Sequence, residues 1–391
     1  MLRSHLAILF ALVIAIGNAP CASAAVPYEV TTLVSQTGSF GFIGKSTTEA
    51  LHALEVYVNK TGGIRGRPIH FAISDVQSNP VVAVQLATQA MAKHPAVILG
   101  PELGAAAYAI APITKNDTVL YSFSSSVRPP PGSYFFGSNV SNRELMFAAV
   151  RYLRMRGIRR IGVLATTDVT GNDHIEQIDN AMRMPENRSV SVVAVEHYAI
   201  GDINVTPQIA RIKAAGAEAI FIGTTGTAYG TALHGLADVG FVGPVVTNAG
   251  NIIRAQMSAY ASFMPKEMLF TGLRFMSHSI ARSGPVRDAQ TVFYDALKAQ
   301  GITRPDIGYN SCWDSAWVVV NALRKFGPSM TAEQLHDYIV NLHGFAATNG
   351  IMDFRDGGQR GWGLNAVVMV RWEPAKDDWV AVSEPGGTPL R

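Results

Sequence analysis

The sequence predicts an α/β protein built from two successive doubly wound parallel sheets. Three observations carry the prediction. Short β-rich apolar runs alternate with amphipathic helices over the first third of the chain. The same alternation restarts near residue 139. At 391 residues, 48% hydrophobic and 16% charged, the chain is well packed and longer than one core ordinarily serves.

In the first run, 30–34, 69–74, 96–99 and 119–123 read as strands, and 46–59, 80–93 and 105–115 as helices. Ala50, Ala53, Leu54, Tyr57 and Val58 fall on one face of the first helix, and Gly62-Gly63 ends it. In the second run, helices at 142–156, 173–184, 207–215 and 229–238 alternate with strands at 161–165, 191–198, 219–223 and 245–246. Helices at 283–300, 309–326 and 331–342 follow. The last part, 350–382, reads as β, with turns at Gly357-Gly358 and Asp377-Asp378.

The start of the chain bears on compartment. Arg3, an apolar run over 6–16 and Ala22-Ser23-Ala24 make a secretory signal peptide, with cleavage expected after Ala24. The run is broken by Gly17, Asn18 and Pro20, short of the roughly 20 apolar residues a spanning helix needs. Cys21 follows a poor lipid-attachment context and would leave with the leader, so Cys312 would stand alone, without an internal disulfide.

Other function classes find little support. A net charge of +3 is too small to imply nucleic acid, and the basic cluster from Arg151 to Arg160 reads as a solvated helix end. Gly38, Gly41 and Gly44 recur after a strand, but not as a dinucleotide fingerprint or a nucleotide loop, so no cofactor is expected. No nucleophile elbow, H-E-x-x-H or C-x-x-C occurs, so neither an enzyme nor a metal site is expected.

Doubly wound sheets bind ligands at the carboxyl ends of their strands. That rule selects loops 35–45, 100–106 and 122–127 in the first half, and 166–172, 223–228 and 247–251 in the second. Ser124-Ser125-Ser126 suits a carboxylate through hydroxyl and N–H groups, and equally makes a polar turn. Gly104 and Ala105 open a helix where a ligand oxygen can approach free N–H groups. Glu102 suits a cleft position, solvent or a helix start. Phe40 and Phe42 suit a pocket wall or packing, and 166–172 suits a polar loop that closes over a ligand.

Two segments carry a resemblance. Gly62-Gly63-Ile64-Arg65-Gly66-Arg67-Pro68-Ile69, then Ser74-Asp75-Val76-Gln77-Ser78-Asn79-Pro80, is similar to N-G-G-I-x-G-x-x-I…D-x-x-x-x-P of the leucine/isoleucine/valine-binding type of periplasmic solute-binding protein. Thr37-Gly38-Ser39, Gly100-Pro101 and Gly350-Ile351-Met352-Asp353-Phe354 with Gly357-Gly358 fit in order along the chain. The resemblance implies a type I fold, two lobes joined by three crossover strands: a leader 1–24, a first lobe 25–138 plus 273–366, and a second lobe 139–272 plus 367–391. It implies hinge closure around a solute, a periplasmic monomer, and as partners the membrane permease and ATPase of an ABC importer. Carried over residue by residue, its site gives Gly104, Ala105, Ser124, Ser126, Thr170 and Thr225.

One departure bears on the solute. Amino-acid binders of this type hold the ammonium with an acid in the loop after the short strand 245–246, which here reads Thr247-Asn248-Ala249-Gly250-Asn251. A buried ammonium without a negative partner is costly. Either Glu102 or Asp168 takes that role, or the solute is a carboxylate or amide without an ammonium. The latter is the expectation, with a branched-chain amino-acid binder, or a sensing receptor of the same fold, as the alternative.

Overall fold

The structure, a computed structural model, describes residues 26–280, 283–355 and 358–390. The expected leader, and Gly357 of the expected turn, lie outside the described residues.

The first sheet forms from β1 (Tyr28–Val34), β2 (Ile69–Asp75), β3 (Val97–Leu99), β4 (Val119–Ser122) and β5 (Phe135–Gly137), joined by helices α1 (Gly41–Lys60), α2 (Pro80–Met91) and α3 (Gly104–Thr114). Its strands are parallel, in the order β2-β1-β3-β4-β5. The second forms after α4 (Asn142–Met155). β6 (Arg160–Thr166), β7 (Ser191–Tyr198), β8 (Ala219–Gly223), β9 (Val245–Thr247) and β10 (Met268–Leu273) alternate with α5 (Val169–Met182), α6 (Thr206–Ala214), α7 (Thr227–Val239) and the short α8 (Arg254–Ala259). Their order, β7-β6-β8-β9-β10, repeats that of the first sheet. Strand order therefore reverses between β1 and β3 in one sheet and between β6 and β8 in the other, which opens a crevice at both carboxyl ends.

The chain then returns. α9 (Pro285–Lys298) and α10 (Ile307–Phe326) pack on α1, and α11 (Ala332–Val340) contacts α10 and β4. A hairpin of β11 (His343–Ala347) and β12 (Gly350–Asp353) follows. The chain crosses back to add β13 (Val367–Glu373) and β14 (Asp378–Ala381), both antiparallel to their neighbours, to the second sheet.

Four elements differ from the sequence reading. The sequence reading assigns no element to β5 or β10. Phe135–Gly137 is three residues long, and Met268–Leu273 is buried throughout, so neither shows the alternation that marks a half-exposed strand. Residues 169–172, expected as loop, form the first turn of α5, and α1 likewise starts at Gly41. Close approach explains both early starts. A Cβ at Gly44 would lie 1.9 Å from the Ser35 carbonyl oxygen, and one at Gly171 1.9 Å from that of Thr166. Each glycine seats a helix's first turn on the end of the preceding strand, a packing role that a loop reading misses.

The segment after β9 also meets the start of α10. Asp306, at the N-terminus of α10, accepts the Arg254 N–H at 2.8 Å and the Gly308 N–H at 3.0 Å, and the Ile307 N–H donates to the Ile252 carbonyl. Burial raises the Asp306 carboxyl to about 6 against these bonds. A group whose pKa is raised on folding binds its proton more tightly in the native state, so its stabilising share is full below about pH 4 and lost as pH rises through about 6. Asp306→Asn is therefore expected to gain stability relative to the wild type as pH rises from 4 to 7, read by denaturant titration at each pH. A difference that stays flat across this range would refute the assignment.

Candidate functional site

The carboxyl ends of both sheets converge on one cavity. Its walls include Phe40, Ile43, Glu102, Phe123 and Ser124 to Ser126 from the first sheet's loops, and Thr170, His174, Thr225 and Asn248 from the second's. Asn139 and Asn142 enter from the first crossing, Leu273 from the second, and Ile307 and Ser311 from α10. About 50 Å³ is free to the centre of a water molecule. One water requires roughly 10–15 Å³ by that measure, so the space suits a small solute.

The 74–80 segment and the Thr37-Gly38-Ser39 turn, both part of the resemblance, interlock to build one wall. Asp75 accepts the N–H groups of Gln36 at 2.9 Å and Gln77 at 2.8 Å and the Thr37 hydroxyl at 2.7 Å. Burial opposes its ionisation, but these bonds outweigh it and hold the carboxyl below its usual range. Ser78 Oγ accepts the Phe40 N–H at 3.0 Å. The turn so fixed sends the Phe40 ring into the cavity. Phe42 stands two residues further on, about 200° round a helix, and lines a separate outer groove with Lys45, Glu49 and Tyr309.

The serine loop is held from behind. Arg360, 6% exposed, donates to the carbonyl oxygens of Ser124 (3.4 Å), Ser125 (3.2 Å), Val127 and Asn139. No carboxylate pairs with it among the described residues, and burial lowers its guanidinium to about 10. In front, Ser124 Oγ accepts the Ser126 N–H at 3.2 Å and Ser126 Oγ accepts from Asn142 Nδ2 at 3.2 Å. Each hydroxyl accepts one bond within the chain, and its O–H is left to donate into the cavity. The first turn of α3 has no side-chain cap, and a Cβ at Gly104 would lie 3.3 Å from Ser124 Oγ. The positive end of that helix therefore abuts the same loop. Gly104 and Ala105 themselves stand behind the lining rather than in it.

On the second lobe, the Asn248 amide is consumed by its own loop. Its Nδ2 donates to the Thr224 carbonyl at 2.6 Å, and its Oδ1 accepts from the Gly250 N–H at 2.8 Å and the Thr225 hydroxyl at 3.2 Å. Asp168 caps α5, accepting the Gly171 N–H at 3.0 Å and the Thr166 hydroxyl at 2.6 Å, and does not reach the lining. Glu102 does. Its Oε2 accepts the Ser35 N–H at 3.0 Å, its Oε1 has no partner, and burial raises its carboxyl.

Eight of the eleven expected residues thus line the cavity, and Phe42, Gly104 and Ala105 do not. Sequence reasoning missed His174, Asn139, Asn142 and Ser311. His174, four residues after Thr170 on α5, had a helical-spacing signal available. It is 1% exposed with no ring nitrogen at full hydrogen-bond geometry, and burial lowers its pKa, with Asp173, Asp168 and the nearby Thr170 backbone acting in the opposite sense.

An ion-pair cluster links the loop after β4 to α5 beside the cavity, and we predict that it acts as a latch. Arg128, from the first lobe, binds Asp173 and Glu176 on α5, and Asn142 Nδ2 donates to Asp173 Oδ2 at 2.7 Å. Breaking it should mainly speed solute escape. Arg128→Ala is expected to raise the dissociation rate by about tenfold with little change in association. Stopped-flow fluorescence checks this, and an unchanged dissociation rate would dismiss the latch.

Comparison with known proteins places this geometry. The family described as periplasmic binding protein matches residues 27–377. No curated protein sequence matches the chain. An extracellular ligand-binding receptor from Rhodopseudomonas palustris HaA2 is similar in structure, with a TM-score of 0.79 and 20% identity over 88% of this chain and 97% of that one. The leucine-binding protein LivK of Thermotoga maritima MSB8 has a TM-score of 0.77 and 16% identity over 91% and 97%. A solute-binding protein of an R. palustris ABC transporter, in complex with benzoate, has a TM-score of 0.73 and 14% identity over 93% and 100%.

Proposed function

The chain belongs to the periplasmic binding protein family, and from that premise we propose that it is the exported receptor of an ABC importer, closing its two lobes over a small carboxylate. The observation that carries the reading is the serine loop. Two hydroxyls, each accepting one bond within the chain and with its proton free, face the cavity, and the buried Arg360 guanidinium stands behind them without a paired carboxylate among the described residues. Donors backed by positive potential favour an anion, and the apolar walls of Phe40, Phe123 and Ile307 favour an apolar body attached to it. The structural neighbour that holds benzoate is consistent with this class. The reading takes the protein as a monomer in the periplasm, delivering its solute to a permease and ATPase, with no catalytic role.

One observation favours a second reading. Glu102 has a free carboxylate oxygen in the lining, which suits the ammonium of an α-amino acid such as the leucine of the LivK neighbour. A thermal-shift panel of benzoate, short aliphatic acids and α-amino acids separates the two. Plain acids at about a hundredfold excess over Kd should stabilise by about 2.7 kcal/mol. Stabilisation by leucine and none by plain acids would reverse the assignment.

A further inference from the structure

The cavity buries two titratable side chains that the serine-loop site does not use. Glu102 is 5% exposed and its Oε1 has no partner. His174, on the opposite lobe, is 1% exposed and neither ring nitrogen meets a partner at full hydrogen-bond geometry. The two do not bond each other, and among the described residues no Lys or Arg lines the cavity. Unpartnered polar atoms in a buried wall are expensive unless a ligand engages them.

Their placement relative to the anion site decides what they do. Glu102 precedes Gly104 by two residues, and Gly104 abuts Ser124. The Ser122 hydroxyl and the Phe123 N–H both bind the Pro101 carbonyl, at 3.0 and 3.1 Å, which ties the Glu102 turn to the start of the serine loop. Two ionised carboxylates cannot share so small a dry space without a cation. The groups packed around Glu102 supply none. β1 offers the Ser35 N–H, α1 the Thr47 hydroxyl, and α10 the Cys312 thiol, with Asp314 beyond it. Across the cavity, α5 presents His174, itself flanked by Asp168 and Asp173.

We propose that Glu102 is a specificity-determining residue that meets the solute as a neutral carboxylic acid, donating from Oε1, while neutral His174 contacts the solute from the facing lobe. Capture of a carboxylate is then coupled to uptake of one proton. The proton passes from solvent to Glu102, and no bond in the solute changes. This rests on the carboxylate reading of the site. Burial, which raises the Glu102 carboxyl and lowers the His174 imidazole, acts in the direction the pair requires.

The test is calorimetric titration of the intact mature protein with benzoate and with L-leucine between pH 5.5 and 8, in buffers of differing ionisation enthalpy. Benzoate binding should take up close to one proton and weaken by about tenfold per pH unit where Glu102 ionises in the free protein. Glu102→Gln should bind benzoate with little pH dependence and no proton uptake. His174→Phe should weaken binding by about tenfold and leave the pH slope unchanged. A carboxylic-acid C=O band in the infrared difference spectrum of the wild-type benzoate complex, absent without benzoate at pH 8, reports the same proton without a variant. Benzoate binding that is pH-independent, or free of proton uptake, overturns the inference and leaves the carboxylate reading standing. Leucine binding that Glu102→Gln abolishes overturns both, as does failure of the wild type to bind benzoate or any plain acid of the panel.

Discussion

Replacing Arg360 with methionine is expected to lower the unfolding free energy by about 3 kcal/mol and to weaken carboxylate binding by tenfold or more. The guanidinium fans out to the carbonyls of Ser124, Ser125, Val127 and Asn139, all close to the cavity. Methionine matches much of its length but donates nothing, so those carbonyls lose their donor where water reaches them poorly. The serine loop would then relax, and the positive potential behind its hydroxyls would go. Arg360→Lys should recover charge but not the fan, and so restore affinity only in part. Chemical denaturation and calorimetry read the two effects separately. A methionine variant that binds benzoate at wild-type affinity would show that the loop needs no support from behind.

The second large effect concerns closure. Gly226 precedes α7 with φ 83° and ψ −146°, and a Cβ there would lie 2.3 Å from the Ser39 carbonyl oxygen of the other lobe. Gly226→Ala is therefore expected to hold the lobes apart and to weaken solute binding by tenfold or more, mainly through faster release. The ligand-free protein escapes the clash by opening and retains only the backbone strain of about 1–3 kcal/mol. Gly240, at the far end of the same helix, has φ 61°, and a Cβ there would meet no described atom within 4 Å. Gly240→Ala thus carries backbone strain without the clash and should cost stability alone. If both variants bind as the wild type does, the Ser39–Gly226 approach is not part of closure.

Much of the fold was legible because it rests on local patterns. The helix read from Pro80 starts there, capped by Asn79, whereas α10 starts two residues before the expected 309, capped by Asp306. The strands at 69–74, 191–198 and 219–223 lie within a residue of those observed. β5 and β10 were missed because a short strand, or one buried on both faces, carries no period.

The candidate site divides in the same way. Phe40, Glu102, Ser124 to Ser126, Thr225 and Asn248 lie in turns at strand ends and Thr170 in the first turn of α5, and the rule that ligands gather at strand ends selects that region. Phe42 stands outside the cavity because the turn it was assigned to is already helix, which rotates it outward. Arg360 had no signal at all. Its role depends on a segment that follows the serine loop by more than two hundred residues and crosses back to it.

By itself, the sequence determined that this chain builds two α/β sheets with polar loops at their carboxyl ends, since hydrophobic period, caps and turn residues act over a few neighbours. Only the tertiary structure decided which groups in those loops remain free. Asn248 spends its amide on its own loop, while Glu102 and His174 keep atoms unpartnered. Hydrogen-bond capacity is exhausted or spared by partners distant in sequence, and local pattern carries no record of them.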